Sequence, residues 1–498
     1  MPPNIVFIQA DQLAARAVRC YGGAVDSTPT LDRLAREGRR FDRCYTTWPL
    51  CLPNRATMMT GRSPGVHGQI GGQTKLLADN PSYAHVLRRA GYRIGGFGKF
   101  HREGTSSAHP RVLDDLGFDE FAIVEDDKRG PYLDWIRREH PDYYELALGR
   151  LGKCKGHLTP EQETLRERAR QRVFRPLFQQ MQYVHMFPSP FPAELHDTTW
   201  ITDLGLRFID DHRREHPDRP FFCQVSYVDP HDPYDPPTPY DTLYRPDDMP
   251  EPLPAEWIEQ GPSCLADFNA LNCKVIREQN PAIFRRAAAL YHGSIRFMDD
   301  QIARLIACLN ERGLAGNTVV VFTTDHGDMM GDHGCMAKGF VHYDGSIRSP
   351  LIAWGADVTG GPTDRLTCAL DFFPTFCDLA GVDRDTLPPL EGRSFAGVLA
   401  GRPAGDDTWP EIAVQSNGVQ SIVTDDGWRL TRYLQHNQGQ MFDLSRDPDE
   451  QRNRYDDPDA ADKKLELLER LVAVSMRPYN LPGYRNLARR PIDYLSPR

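Results

Sequence analysis

A chain of 498 residues can bury a large core in two domains, and 40% hydrophobic with 26% charged residues is the balance of a folded globular protein, not a disordered one. The formal net charge of -10 excludes a nucleic-acid surface or a polybasic membrane patch, so any anion site has to be built locally. The eleven cysteines have no regular spacing and no CxxC pair, which gives no zinc site and predicts reduced thiols without disulfides.

The chain opens MPPNIVFIQADQ, and its apolar run Ile5 to Ile8 is too short for a signal peptide or a membrane span, which predicts a cytoplasmic protein. Residues 4–9 read as a strand, 30–37 as a helix, 83–90 as a helix and 93–97 as a strand. That alternation predicts βαβ units, hence an α/β fold with a large, mostly parallel central sheet flanked by helices. From about 102 to 193 the pattern gives way to charged helical pieces such as TPEQETLRERARQRVF, rich in His, Pro and Tyr. This stretch reads either as an insertion over the ligand-binding edge of the sheet that shapes access to it or as a solvated helical decoration. An apolar run follows at 221–228, then a long helix at 287–312, then runs at 318–323 and 351–354 whose VVVF and LIAW suit fully buried central strands.

Past a loop at 400–407 the texture changes to short alternating stretches, IAVQSN, QSIVTD, WRLTRYL and QMFDLS, and then a helix at 460–475. These predict a small antiparallel sheet backed by one helix. The organisation expected is a large α/β domain at 1–405, a C-terminal α+β subdomain at 406–475 and a tail at 476–498 rich in Pro, Arg and Tyr. Such a tail makes no core of its own and is either frayed or wrapped on a partner subunit, so a homodimer or tetramer is expected.

Ligands of an open parallel sheet sit at strand ends. Three places there carry chemistry: Asp11-Gln12 after NIVFIQA, Lys99 and His101 after RIGGFG, and Asp325-His326 after TVVVFTT. Each acid alone is as readily a helix cap. Together Asp11, Gln12, Asp325 and His326 supply two carboxylates, an amide oxygen and an imidazole, a ligand set for one divalent cation. DHGDMMGDHG lacks the acidic spacing and final Glu of an EF-hand, and QADQLAARA lacks the glycines of a dinucleotide-binding turn.

The segment CLPNRATMMTG, starting at Cys51, resembles the sulfatase signature CxPxRxxxxTG. The landmarks TPTLDRLAREGRRF, LRRAGYRIGGFGKFH, YVDPHDPY, VVVFTTDHGDMMGDHG, MAKG, LDFFPTFCDLAGV, LEGRSF and MFDLSRDPDE extend that resemblance, in family order, over most of the chain. The resemblance implies an alkaline-phosphatase-like fold and hydrolysis of sulfate esters. It also implies that a formylglycine-generating enzyme oxidises Cys51 to Cα-formylglycine, whose gem-diol is the nucleophile. One hydroxyl would attack sulfur and the other would release sulfate as the carbonyl reforms. Cys51 would then complete the metal set, and the metal, Ca2+ or alternatively Mn2+ or Mg2+, would orient the diol and lower its pKa. Arg55 would hold the diol, Lys99 would bridge diol and sulfate, and His101 would take the proton that releases sulfate. His231 and Lys338 would bind the sulfate and neutralise the leaving oxygen. The ten other cysteines read as small buried hydrophobes.

Asp-Gln in place of two leading acids, and Asp-His as the later pair, resemble the branch that includes phosphonate monoester and phosphodiester hydrolases and choline-sulfatase-like enzymes. GKFH keeps the sulfatase form, so arylsulfatase-type chemistry on sulfate monoesters is the main expectation, with promiscuity toward phosphodiesters or phosphonate monoesters. A non-catalytic binding module is the rival outside this class, and its mark is an unmodified Cys51. Tyr132, Trp135 and Trp200 are candidates for an aryl or quaternary-ammonium pocket, and His196 and Thr198 are further candidates to face the site.

Overall fold

The computed structural model describes residues 2–71, 80–101, 116–151, 158–175, 179–181, 184–257, 262–267, 273–275, 281–403 and 408–477. Its central element is Asn4–Ala10 (β1), buried at all seven residues because both faces of the strand are apolar. Val6 and Ile8 point into one core cluster, while Ile5 and Phe7 point into another. Seven further strands complete the sheet: Arg39–Phe41 (β2), Arg93–Gly98 (β3), Glu120–Ile123 (β4), Phe221–Ser226 (β5), Thr318–Thr324 (β6), Leu351–Gly355 (β7) and Gly361–Thr363 (β8), in the order β8-β2-β7-β6-β1-β5-β3-β4.

Five neighbours, β6, β1, β5, β3 and β4, run parallel. The strand containing LIAW, β7, is central and buried as expected, but it runs antiparallel to both β6 and β2. A parallel neighbour would need a long crossover, usually helical. The segment joining β6 to β7 instead carries site loops, a 3-10 turn at Asp332–Gly334, the short strand Cys335–Ala337 and the one-turn helix Asp344–Ile347, and the chain returns reversed. The sheet is mixed, with a mostly parallel centre.

One face is covered by Pro29–Glu37 (α1), Asp197–Glu215 (α4) and the 31-residue Pro281–Glu311 (α5), through Leu31, Leu34, Phe208, Ile295 and Leu305. Tyr83–Arg89 (α3) and Phe372–Leu379 (α6) cover the other through Tyr83, Leu87, Phe372 and Phe376. Cys51–Thr60 (α2) is buried at every residue. The stretch 102–193 is not wholly an addition to the sheet, since it contains the edge strand β4; its described α-helices are Pro131–Glu139, Tyr144–Arg150 and Pro160–Ala169.

Glu411–Ser416 (β9), Val419–Thr424 (β10), Trp428–Tyr433 (β11) and Gln438–Asp443 (β12) form an antiparallel meander. Asn417-Gly418 closes the first hairpin with Gly418 at φ 79°, the left-handed conformation such two-residue turns require. Ala461–Met476 (α7) packs Leu467, Leu471 and Val474 on one side of this sheet against Ile422, Leu430 and Met441. Val419, Tyr433 and Phe442 meet Met329, Val341 and Tyr343, and Ile412, Val414 and Val423 meet Tyr45, Ile347 and Leu366, so the sheet lies against the segment between β6 and β7. The tail beyond residue 477, expected as an oligomer contact, lies outside the described residues.

Candidate active site

Register brings the site together. Ala10 pairs with Thr324, Gln9 with Ser226 and Gly98 with Ser226, so Asp11, Asp325 and Lys99, following β1, β6 and β3, leave the sheet at the same edge, with β5 standing between β1 and β3. Gln12 and His101 follow in left-handed backbone, at φ 62° and 48°, a strained conformation for residues with a Cβ that turns the chain sharply off the strand.

Cys51 is the first residue of α2, two residues earlier than the start near Pro53 that the proline suggests, and Pro53 sits within the first turn. Its Sγ therefore lies where the unpaired N–H groups of a helix favour negative charge. Sγ is 3.1 Å from His326 Nε2, 3.2 Å from Lys338 Nζ and 3.7 Å from Asp11 Oδ1. Ligand atoms of Asp11, Cys51, Asp325 and His326 all lie within 4.8 Å of one another. Gln12 borders this group: its Oε1 accepts from Lys338 Nζ at 2.5 Å and its Nε2 donates to Asp328 at 2.6 Å.

Arg55, one turn along α2, braces the carboxylates. Nε donates to Asp325 Oδ2 at 2.7 Å and Nη2 to Asp11 Oδ2 at 2.9 Å, while Nη1 donates to the Lys99 carbonyl and to Ser226 Oγ, both at 2.8 Å. The expected contact between Arg55 and the side chain at 51 is absent from these bonds; the guanidinium acts on it through charge alone. Lys99 Nζ lies 2.7 Å from Asp11 Oδ2 and 2.5 Å from Asp126 Oδ1. His231 sits on the more open side, with Nδ1 2.6 Å from the Asp232 carbonyl.

The charges reinforce one another. Burial works against ionisation of Cys51, but Lys338, Lys99 and His326 outweigh it and hold the thiol well below its ordinary pKa. Burial and a Cys51 thiolate push Asp11 up, yet Lys99, His231 and Arg55 prevail and keep it low. Lys99 is held well above its usual value, since Asp11 and Asp126 outweigh burial. His231 is raised to about 9, burial and Lys338 being overcome by Asp126 and Asp11.

The sequence reading missed several partners. Glu125 accepts from the Phe100 and His101 amides, and Asp126 meets Lys99. Both follow β4 as Asp11 follows β1, so the strand-end rule applies to them once EFAI is recognised as a strand. Asp328 ties Gln12 to Tyr234, whose hydroxyl is 2.6 Å from it, and Tyr291 holds the Gln12 carbonyl at 2.8 Å.

Other candidates lie elsewhere. Tyr132, Trp135 and Trp200 pack on one another, with ring centroids 5.6–6.4 Å apart, and Tyr132 donates to the Leu195 carbonyl. Tyr132 is buried in the core, while Trp135 and Trp200 line a surface cavity with Ala122, Asp134 and Arg207 whose lining includes no residue of the Cys51 cluster. His196 is buried 2.7 Å from Arg150 and caps α4, and Thr198 donates to Asp229 at 2.5 Å. Both anchor the loop that carries His231 and neither faces the cluster.

The sulfatase family model matches residues 3–382, and the model described as N-sulphoglucosamine sulphohydrolase, C-terminal, matches 331–477. An arylsulfatase of Clostridium perfringens is 31% identical over 480 residues, covering 91% of this chain and 90% of its own. A choline-sulfatase of Rhizobium meliloti is 27% identical, over 92% and 83% of the two chains. Among solved structures, the phosphonate monoester hydrolase of Agrobacterium radiobacter shares the fold, with a TM-score of 0.76 over 96% of both chains at 23% identity. One model spanning three quarters of the sequence, and a relative of that identity covering nine tenths of it, carry the conclusion that the chain belongs to the sulfatase family.

Proposed function

We propose that the protein hydrolyses sulfate monoesters, of arylsulfatase type, with formylglycine made from Cys51 as its nucleophile and one divalent cation bound by Asp11, Gln12, Asp325, His326 and residue 51. The observation that carries this reading is Cys51 itself, set at a helix N-terminus between two buried carboxylates, an imidazole and an ammonium. The residues suit a cation. Arg55 takes the Oδ2 atoms of both Asp11 and Asp325, which leaves each Oδ1 toward Cys51 and His326. His326 Nδ1 is held by the Gly327 carbonyl at 3.0 Å, which fixes the tautomer with the Nε2 lone pair inward. Hard oxygens with one imidazole favour Ca2+, with Mn2+ or Mg2+ as alternatives.

When bound, the cation supplies Lewis-acid help in ionising and orienting the diol. Lys338, 3.2 Å from the atom that marks the diol, carries positive charge to the sulfate oxygens, and His231 does so for the leaving oxygen. His101 lies within hydrogen-bonding reach of the Cys51 side chain, and its Nδ1 has no partner among the described residues, which suits the exchange of a proton at the second hydroxyl. Lys99 and Arg55 keep Asp11 ionised as a ligand, and Arg55 holds Asp325 in place through its Oδ2.

The Asp-Gln and Asp-His pairs, with the fold shared with a phosphonate monoester hydrolase, favour a second reading: phosphonate monoesters or phosphodiesters as substrates of the same nucleophile. The proposal includes maturation by a formylglycine-generating enzyme in the cytoplasm, domains at 1–405 and 406–475, and a homo-oligomer. The test pairs the mass of the tryptic peptide containing residue 51 with turnover of 4-nitrophenyl sulfate and bis(4-nitrophenyl) phosphate. An aldehyde mass with dominant sulfate turnover is expected; dominant diester turnover selects the second reading. An intact thiol with neither activity, in protein from a host able to modify it, leaves a binding module.

A further inference from the structure

We propose that Asp126 sets the charge of the anion this site accepts, neutralising Lys99 on the substrate side so that singly charged esters are taken and doubly charged phosphate monoesters are refused. The inference rests on the ester-hydrolase reading above and adds to it the residue that selects among esters.

In the run Glu125-Asp126-Asp127-Lys128, three side chains are fasteners. Glu125 holds the Phe100 and His101 amides, Asp127 pairs with Arg129, and Lys128 is buried against Asp197. Asp126 differs: among the described residues its one hydrogen bond is to Lys99 Nζ. Lys99 and Asp11 side chains are 0% exposed, whereas that of Asp126 is 28% exposed, so Asp126 is the member of this trio open to the approach of substrate. Lys99, and more weakly His231 and His101, act electrostatically on it.

The two ammonium groups of the site therefore differ in what they offer. Lys338 touches the neutral Gln12 amide and Cys51, and its charge is free for a ligand. The charge of Lys99 is already shared between two carboxylates. A sulfate monoester brings one negative charge, which Lys338 and His231 can balance. A phosphate monoester brings close to two above its second pKa of about 6, and the extra charge falls beside Asp126 in a poorly screened site.

The measurement is kcat/KM for 4-nitrophenyl sulfate, bis(4-nitrophenyl) phosphate and 4-nitrophenyl phosphate, at about pH 8 where the last is a dianion, in matured wild type, Asp126→Asn and Asp126→Glu. Wild type is expected to favour both singly charged esters over the phosphate monoester. Asp126→Asn should raise phosphate monoester turnover relative to each of them by about ten-fold or more, while the ratio of the two singly charged esters stays fixed. Asp126→Glu should restore the wild-type order. If all three rates in Asp126→Asn change by a common factor, Asp126 only positions Lys99 and the inference is overturned. Failure of wild type on the sulfate, with the diester still turned over, defeats the sulfate reading alone, because diester against monoester still reads the charge preference.

Discussion

At position 55 the sequence asks for arginine and for nothing else with a positive charge. Its five N–H groups make five hydrogen bonds, to Asp325, Asp11, Ser226 and the carbonyls of Lys99 and Ala10, all in a buried setting. A lysine is a point charge and cannot span them. Arg55→Lys is expected to lower stability by roughly 3–5 kcal/mol in urea unfolding, because carboxylates are left short of partners in a dry site, and to abolish turnover with it. Cys51→Ala behaves oppositely. It removes one small side chain and, from the carboxylates, only the long 3.7 Å Sγ contact to Asp11 Oδ1, so turnover should vanish while the urea midpoint moves by no more than about 1 kcal/mol equivalent; retained turnover would end the formylglycine reading. Residues such as Asp11, Lys99, His101, Asp325 and His326 are legible because each follows an apolar run immediately. Asp126 is not, since the run before it is four residues long with three of them half-buried, the mark of an edge strand.

Elements fix where those residues point. Gly98 ends β3 at φ 104°, and a Cβ there would stand 1.9 Å from the Ser226 carbonyl oxygen of the neighbouring strand. Only glycine lets the backbone turn this closely under β5 to deliver Lys99. Gly98→Ala is predicted to cost about 2–4 kcal/mol by thermal unfolding and to reduce kcat far more than it raises KM, as the displaced group is Lys99 and not a remote binding contact. A variant that is destabilised but keeps full kcat would refute this. The strands β1, β3, β5, β6 and β7 and the helices α1, α3 and α5 lie where hydrophobic periodicity puts them, whereas the short strands β2, β4 and β8 are too brief to show a period. The reversed direction of β7 does not show in its sequence, because a buried parallel strand and a buried antiparallel one have the same apolar composition.

On the scale of the whole molecule, the C-terminal sheet holds the segment that carries Lys338. His342, in that segment, has Nδ1 2.7 Å from Ser421 Oγ and Nε2 2.9 Å from Ser416 Oγ, both on the C-terminal sheet. Burial, with Arg429 adding to it, depresses its pKa to about 3. The unfolded chain therefore binds a proton there that the folded chain refuses, and stability contributed by the neutral ring is lost as pH falls from about 6.5 toward 3. His67 and His292, lowered by burial to about 3 and 4, act in the same direction. His342→Gln should flatten the acid limb of stability against pH by about 1.4 kcal/mol per pH unit, read from urea midpoints between about pH 6 and 4; an unchanged slope would show that the ring is already protonated in the fold. The oligomer proposal belongs here too: a chain ending at Ser475 should run as a monomer in light scattering while the full chain does not.

What the sequence determines by itself is local: which runs are apolar on both faces, which polar residues follow them, and the CLPNRATMMTG segment at the head of α2. Those properties depend on periodicity and on chain neighbours, and they are enough for the α/β class and for most of the cluster around Cys51. Tertiary structure decides what depends on pairing between distant segments. The register of β1 with β5 and β6 sets Asp11 beside Asp325, the reversal of β7 spends the intervening chain on site loops, and the edge strand β4 brings Asp126 onto Lys99. Partners far apart along the chain are chosen by packing and by the balance of buried charge, which no short stretch of sequence contains.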